Sequence, residues 1–173
     1  MARPNRFQIM ERNSKLITNF FQSQDQKIFS YKDLTNTLLQ DSDQWRLPIS
    51  TTTKEFSNFL IEKGILKLIE ILLPNDRVSK FIFGKVAPLE IAATINKRAY
   101  FSHETALYLH GLCKKSQDIY TNIEQTPKLT GTSTLTQESI DQAFSRPMRK
   151  TNQIAQFKIK EKNYRVHMLN GKH

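Results

Sequence analysis

The sequence has few of the residues that build redox, zinc or phosphate-loop sites. Among 173 residues, five are glycine and one, Cys113, is cysteine. A single cysteine excludes an intramolecular disulfide and a cysteine-based zinc cage. The scarcity of glycine makes a glycine-rich phosphate-binding loop a poor candidate. A chain with this cysteine usage suits a reducing cytosol.

Long apolar runs are also missing from the sequence. No segment approaches the roughly 18–20 apolar residues that a membrane-spanning helix needs. The first ten residues are polar and include Arg3 and Arg6, so they do not form the apolar core of a secretory signal. We therefore expect a cytoplasmic protein that makes no membrane contact.

Acidic residues are too few to balance the basic ones. The 26 lysines and arginines against 16 aspartates and glutamates give a net charge of +10. The excess is not held in one tail, since residues 1–86 carry 13 basic and 9 acidic side chains and residues 87–173 carry 13 and 7. This balance is typical of proteins that bind a phosphate backbone.

The first half has the pattern of a winged helix-turn-helix. Ser30 and Asp33 form one capping box and Thr52 and Glu55 form another, so each pair predicts the start of a helix. The second helix should end at Lys63-Gly64. Two β-rich segments, Ile65–Leu73 and Val78–Phe83, flank a Pro-Asn-Asp turn and predict a hairpin. We therefore predict a DNA-binding domain over residues 1–86.

The helix from Thr51 to Lys63 is the best candidate for reading DNA, because the second helix of such a motif enters the major groove. Its apolar residues, Phe56 and Phe59, should face inward, with polar side chains on the opposite face. The alternative is an ordinary amphipathic helix with a solvated face. The predicted DNA contacts are Lys32, Arg46, Thr51, Thr52, Lys54, Asn58, Arg77 and Lys80, the last two from the wing.

The second half, residues 87–173, predicts a small mixed α/β domain, so the fold class is α+β. Pro88 suits the first turn of a helix, and Ser102 should cap another that Gly111 closes. A helix over 137–144 and a strand over 119–121 are also predicted. Strict alternation over 157–160 and 164–168 indicates a hairpin with its turn at 161–163.

Sites for catalysis are not indicated, and we expect neither an enzyme nor a bound metal or cofactor. Ser102, His103 and Glu104 are adjacent in a first helical turn, where neighbouring side chains point in different directions and cannot form a triad. His103 and His110 lie too far apart to share a metal. The basic C-terminal residues predict a surface for phosphate or an acidic protein, or else a solvated sheet face: Arg146, Arg149, Lys150, Lys158, Lys160 and Arg165.

The segment Ala99–Leu112, AYFSHETALYLHGL, resembles the signature of AbiEi-like antitoxins of type IV toxin–antitoxin, or abortive-infection, systems. The matching residues are Ser102, His103, Ala106, Leu107, His110 and Gly111, with either a structural role or a role in antitoxicity. The order of elements upstream and the final hairpin ending in Asn-Gly-Lys are also similar to that family. Many members continue well beyond this position, so the resemblance implies a short or truncated antitoxin domain.

The resemblance implies two partners. One is double-stranded DNA, as inverted repeats at the protein's own promoter. The other is a cognate nucleotidyltransferase-like toxin, counteracted with or without a stable complex. Two alternatives stay open: a stand-alone winged-helix transcriptional regulator, and an interaction protein that inhibits a defence or toxin enzyme by direct binding.

Overall fold

The computed structural model describes residues 4–123, 136–145, 151 and 153–170, and it has a mixed α+β architecture. The first half contains α1 (Arg6–Arg12), α2 (Ser14–Ser23), β1 (Ile28–Ser30), α3 (Tyr31–Asp41), α4 (Thr53–Glu62), β2 (Lys67–Leu72) and β3 (Arg77–Ile82). The second half contains α5 (Pro88–Ala93), β4 (Ala99–Phe101), α6 (His103–Leu109), β5 (Asp118–Ile123), α7 (Gln137–Phe144), β6 (Ile154–Ile159) and β7 (Lys162–Leu169).

Capping residues explain where the principal helices begin. The Ser30–Asp33 and Thr52–Glu55 pairs form complete capping boxes at α3 and α4, as predicted. Pro88 occupies the first turn of α5, where a missing backbone N–H costs nothing. Helix α1 was not predicted, although Asn5 and Gln8 form a third capping box at its start.

One seven-stranded sheet runs through both halves, in the order β1-β3-β2-β6-β7-β5-β4. β1 pairs with β3, and β2 lies between β3 and β6. The β2–β6 pairing consists of Ile71 with Phe157 and Leu72 with Gln156. The predicted domain boundary after Val86 therefore divides the chain into two halves that contribute strands to the same sheet.

Two clusters of apolar side chains form the core. The first contains Met10, Ile17, Phe21, Trp45 and Phe56 with their neighbours, all from the first half. The second packs α5 against the sheet and combines Ile71 and Ile82 of the first half with residues of the second. Burial of these side chains is the main favourable contribution to folding.

The C-terminal hairpin confirms the predicted alternation and corrects its turn. Phe157, Tyr164 and Val166 are buried on one face. Ile159 pairs with Lys162, so the turn is Lys160-Glu161 rather than 161–163. Lys160 adopts the positive φ of +53° that a tight two-residue turn needs.

Among the helices that the structure describes, none is long and apolar enough to cross a membrane.

Candidate functional site

Helix α4 presents a polar face to solvent. Lys54 and Asn58 are exposed, whereas Phe56, Phe59 and Leu60 are buried in the first core cluster. The side chains therefore divide between the two faces as the sequence pattern predicted. This leaves one cation and one amide on the surface of the helix that we expect to read DNA.

The prediction that Thr51 lies on the exposed face is wrong. Its side chain is only 7% exposed, and its hydroxyl has no hydrogen-bond partner among the described residues. The cause is its position outside the helix: Thr51 N donates to Pro48 O in a turn that precedes the N-cap residue, Thr52. A buried hydroxyl cannot reach a base edge.

Thr52 is exposed, but its hydroxyl is occupied at the start of α4. Glu55 N donates to Thr52 Oγ1 at 3.2 Å, and that hydroxyl donates to Glu55 Oε2 at 2.9 Å. Arg6 Nη1 also donates to both oxygens of Glu55, at 2.7 and 2.8 Å. Hydrogen bonds from Thr52 and Arg6 lower the pKa of Glu55 to about 2.

Arg6 was not predicted as part of this surface. It joins α1 to the first turn of α4, and it also donates to Ser50 O at 3.2 Å. Its positive charge compensates the Glu55 carboxylate, which would otherwise repel a phosphate near the helix N-terminus. The Asn5–Gln8 capping box was the available sequence signal, because it places Arg6 in a helix.

The remaining cations of the first half occupy separate positions. Lys32 is exposed on α3, and Arg46 is exposed in the turn after it, with a φ of +52°. Arg77 and Lys80 lie three residues apart on β3 and therefore point to opposite faces of the sheet. The two DNA contacts that we predicted from the wing therefore do not share one face of the hairpin.

Each of these two strand residues also has an acidic neighbour. Arg77 Nη1 lies 3.2 Å from Glu70 Oε2 of β2. Lys80 is half-buried near Asp33. Burial by itself raises the pKa of Asp33, but hydrogen bonds from Ser30 and Gln26, with the charge of Lys80, bring it below its usual value.

The Ser102–Gly111 segment forms α6 and its two ends. Ser102 is the N-cap residue, but its hydroxyl makes no capping hydrogen bond and lies 3.0 Å from His103 Nδ1. His103 has a φ of +51°, a conformation that is uncommon outside glycine. Tyr120 N donates to Thr105 Oγ1 at 2.8 Å, which attaches the helix to β5.

Gly111 ends α6 as predicted. Its φ is +75°, and its N–H donates to Tyr108 O while Leu112 N donates to Leu107 O. This is a Schellman motif, in which glycine adopts the left-handed conformation. Ala106 is half-buried, whereas Leu107 and His110 are exposed. The backbone role expected of Gly111 is thus confirmed.

A network of polar side chains connects α6 with the C-terminal hairpin, and the sequence did not indicate it. Arg165 Nε and Nη2 donate to the two oxygens of Asp118 at 2.7 and 2.8 Å. His167 Nε2 lies 2.9 Å from Asp118 Oδ1, and its ring stacks on Tyr120 at 4.7 Å between centroids. The Tyr120 ring lies 6.0 Å from that of His103.

Burial, hydrogen bonds and neighbouring charges shift the pKa values of Asp118 and Tyr120. Burial alone raises the pKa of Asp118, but hydrogen bonds from Arg165 and His167 lower it below its usual value. The pKa of Tyr120 is raised by burial and by the negative charges of Glu104 and Asp118. Asp118 therefore stays ionised and holds Arg165 in place.

The predicted basic surface is only partly described. Lys158 and Arg165 belong to one face of the hairpin, and Lys160 lies in its turn. Arg146, Arg149 and Lys150 lie outside the described residues. Across the described ranges, no group of three or more His, Cys, Asp or Glu side chains is placed to hold a metal ion.

Family models, curated proteins and solved structures were all compared with the chain, and none matches it.

Proposed function

We propose that the protein is a DNA-binding transcriptional autorepressor of the antitoxin type. In this proposal the first half binds double-stranded inverted repeats at the protein's own promoter, and the second half counteracts a nucleotidyltransferase-like toxin. The observation that carries the DNA-binding part is the exposed face of α4, which presents Lys54 and Asn58 opposite a fully buried apolar face.

The arrangement around α4 supports a winged helix-turn-helix. Helix α3 precedes α4, and the β2–β3 hairpin follows it. The short strand β1 pairs with β3, so three antiparallel strands at one end of the sheet accompany the two helices. In a helix-turn-helix, the second helix lies in the major groove while the first crosses the backbone.

Electrostatics support the same surface. Lys32, Arg46 and Lys54 are exposed and form no ion pair with another described residue. Their charges are thus available to phosphates. The acidic residue nearest the start of α4, Glu55, is paired with Arg6.

The antitoxin part of the proposal depends on the resemblance of the Ser102–Leu112 segment. A stand-alone winged-helix regulator would have the same first half and no toxin partner. The neighbouring reading frame separates the two: a nucleotidyltransferase-like gene whose toxicity this protein relieves supports the antitoxin, and relief is measured by growth on co-expression. Growth that stays arrested in the presence of the folded protein excludes the antitoxin role.

The DNA-binding part is tested by titrating the protein against its own upstream duplex and a scrambled duplex at several salt concentrations. Binding should weaken with salt, and Lys54→Ala should flatten the logarithmic slope by about one unit if Lys54 contacts a phosphate. Asn58→Ala should instead reduce discrimination between the duplexes by about 1–3 kcal/mol if a base contact is lost.

Lys97→Ala is the matched control, since Lys97 is an exposed lysine in the second half. It should leave both the affinity and the slope unchanged. Equal affinity for the two duplexes excludes a sequence-specific repressor, and an absence of binding at low salt excludes DNA as the partner.

A further inference from the structure

An open groove lies between the first and second halves of the sheet. Its volume is about 810 Å³, within the range of ligand-binding clefts. The lining residues come from β2, β3, β6, β7 and the segment before β5: Leu68, Ile69, Glu70, Leu72, Arg77, Gln117, Gln156, Phe157, Lys158, Asn163 and Arg165.

The groove lies where the β2–β3 hairpin meets the β6–β7 hairpin in the sheet. β2 and β6 pair at Ile71–Phe157 and Leu72–Gln156, next to the β2–β3 turn. From Lys67 to Ile69, β2 continues beside β3 but has no register partner on β6 among the described residues. By register, Leu72, Gln156 and Arg165 lie in one row across β2, β6 and β7, so the groove opens on that face of the sheet.

Cations reach this groove from three strands. The side chains of Arg77, Lys158 and Arg165 are each about 60% exposed. The acidic lining residue is Glu70, which is bonded to Arg77. Lys160 is exposed in the adjacent hairpin turn, so the positive surface extends beyond the groove.

Arg165 is held in one orientation. Its Nε and Nη2 bond both oxygens of Asp118, and the Asp118 carboxylate is also bonded to His167. This pairing leaves the Nη1 amino group of Arg165 outside the ion pair. A guanidinium fixed by a bidentate pair can bind a phosphate without first losing its own conformational freedom.

The rest of the lining suits nucleobases. Gln117, Gln156 and Asn163 each offer an amide donor and acceptor, which match the polar edges of an unpaired base. Leu68 and Leu72 are more than 40% exposed and supply apolar surface beside these amides. In a duplex, the base edges that pair with each other are not accessible to such groups.

We propose that this groove binds a segment of single-stranded nucleic acid. In this proposal the cationic side chains bind the phosphates and the side-chain amides contact the bases. Other sites for single strands likewise have a positively charged groove along the backbone. A polymer fits better than a free nucleotide, because Lys160 in the hairpin turn continues the positive surface outside the groove. The site is independent of the α4 surface proposed for double-stranded DNA.

The test is fluorescence anisotropy of the full chain with labelled single-stranded RNA and DNA of about 12 nucleotides, within the usual site size. Lys158→Gln and Arg165→Gln should each weaken binding about tenfold, as expected for a lost charged hydrogen bond. The salt slope should fall by about 0.7 per contact in each variant. Circular dichroism should show unchanged folding for Lys158→Gln, because its side chain is exposed and its ion pair with Glu161 spans 3.9 Å.

The matched control is Lys162→Gln, which removes the same charge from the same hairpin. Lys162 pairs with Ile159, whose side chain packs on the second core cluster, so its register position belongs to the opposite face of the sheet. This variant should bind single strands as the original protein does. Equal weakening by Lys158→Gln and Lys162→Gln would show diffuse electrostatic attraction and overturn the site.

Three other outcomes would also overturn the proposal. Uridine monophosphate binding as tightly as the oligonucleotide would indicate a small-molecule site, and complete competition by polyglutamate would indicate a surface for acidic protein. Loss of single-strand binding in Lys54→Ala would assign it to α4. Since Lys158→Gln should leave duplex binding intact, failure of the groove and failure of the duplex proposal are distinguishable.

Discussion

Helices α4 and α6 end in the same backbone motif in very different surroundings. At α4, Gly64 N donates to Ile61 O and Ile65 N donates to Leu60 O. At α6, Gly111 and Leu112 make the equivalent bonds to Tyr108 and Leu107. Both glycines are left-handed, with φ values of +65° and +75°. Both helices therefore end in the same backbone conformation, a Schellman motif.

The two helix ends differ in the burial of their apolar side chains. Leu60 is fully buried, and Ile65 packs against the first core cluster. The corresponding Leu107 and Leu112 are 46% and 72% exposed. A glycine after an apolar helix thus identifies the backbone turn, but it does not show whether the accompanying apolar pair enters a core.

The beginnings of the helices differ as well. Thr52 caps α4 and Glu55 completes the box, whereas the Ser102 hydroxyl makes no capping bond at α6. An N-cap hydrogen bond contributes about 1 kcal/mol. Helix α4 is consequently secured at both ends, and α6 is secured by its C-terminal motif and by the contact of Thr105 with β5.

The largest difference is expected on shortening the matched leucines. Leu60→Ala should lower the free energy of unfolding by about 2–5 kcal/mol, because it leaves a cavity in the core. Leu107→Ala removes a side chain already half in water and should cost under about 1 kcal/mol. Urea denaturation measures both. Similar losses would show that Leu107 is buried in solution and would remove the contrast.

Substituting the two glycines should give nearly equal, smaller effects. Alanine costs about 1–2 kcal/mol in the left-handed conformation. No atom lies within 4 Å of a Cβ built on Gly64 or Gly111, so steric contact adds nothing. Gly64→Ala and Gly111→Ala should therefore lower the thermal midpoint by similar amounts. A much larger effect at Gly111 would identify a contact there.

The smallest effect concerns acid and the first turn of α4. The pKa of Glu55 is about 2, against an ordinary value of 4.5, so its contribution to stability is complete above pH 4.5 and is lost as the pH falls toward 2. The stability gap between the original protein and Glu55→Gln should narrow over that range in urea denaturation. A constant gap would contradict the role of the carboxylate.

Local signals predicted much of the fold. The capping boxes at Ser30 and Thr52, Pro88 and the two left-handed glycines each involve residues within a few positions of one another. Their hydrogen bonds form wherever the segment is helical, so the sequence pattern suffices. Alternation in the last hairpin also identified its buried face, because strand side chains alternate strictly.

Features that depend on distant residues were missed. β1 and β4 have three residues each and become strands only by pairing with β3 and β5. The Arg6–Glu55 and Asp118–Arg165 pairs join residues more than 40 positions apart. The β2–β6 contact and its groove likewise depend on how the halves meet. The spacing of residues along the sequence does not predict such long-range contacts.

The division of the core also sets an order for folding during synthesis. Every residue of the first cluster lies between Ile9 and Phe83, so that cluster can assemble while the rest of the chain is still being translated. The second cluster cannot close until Tyr164, Val166 and Met168 have left the ribosome. Ile71 and Ile82 must wait for those late residues before they are covered. The nascent chain thus carries a folded first half with one edge of its sheet still uncovered.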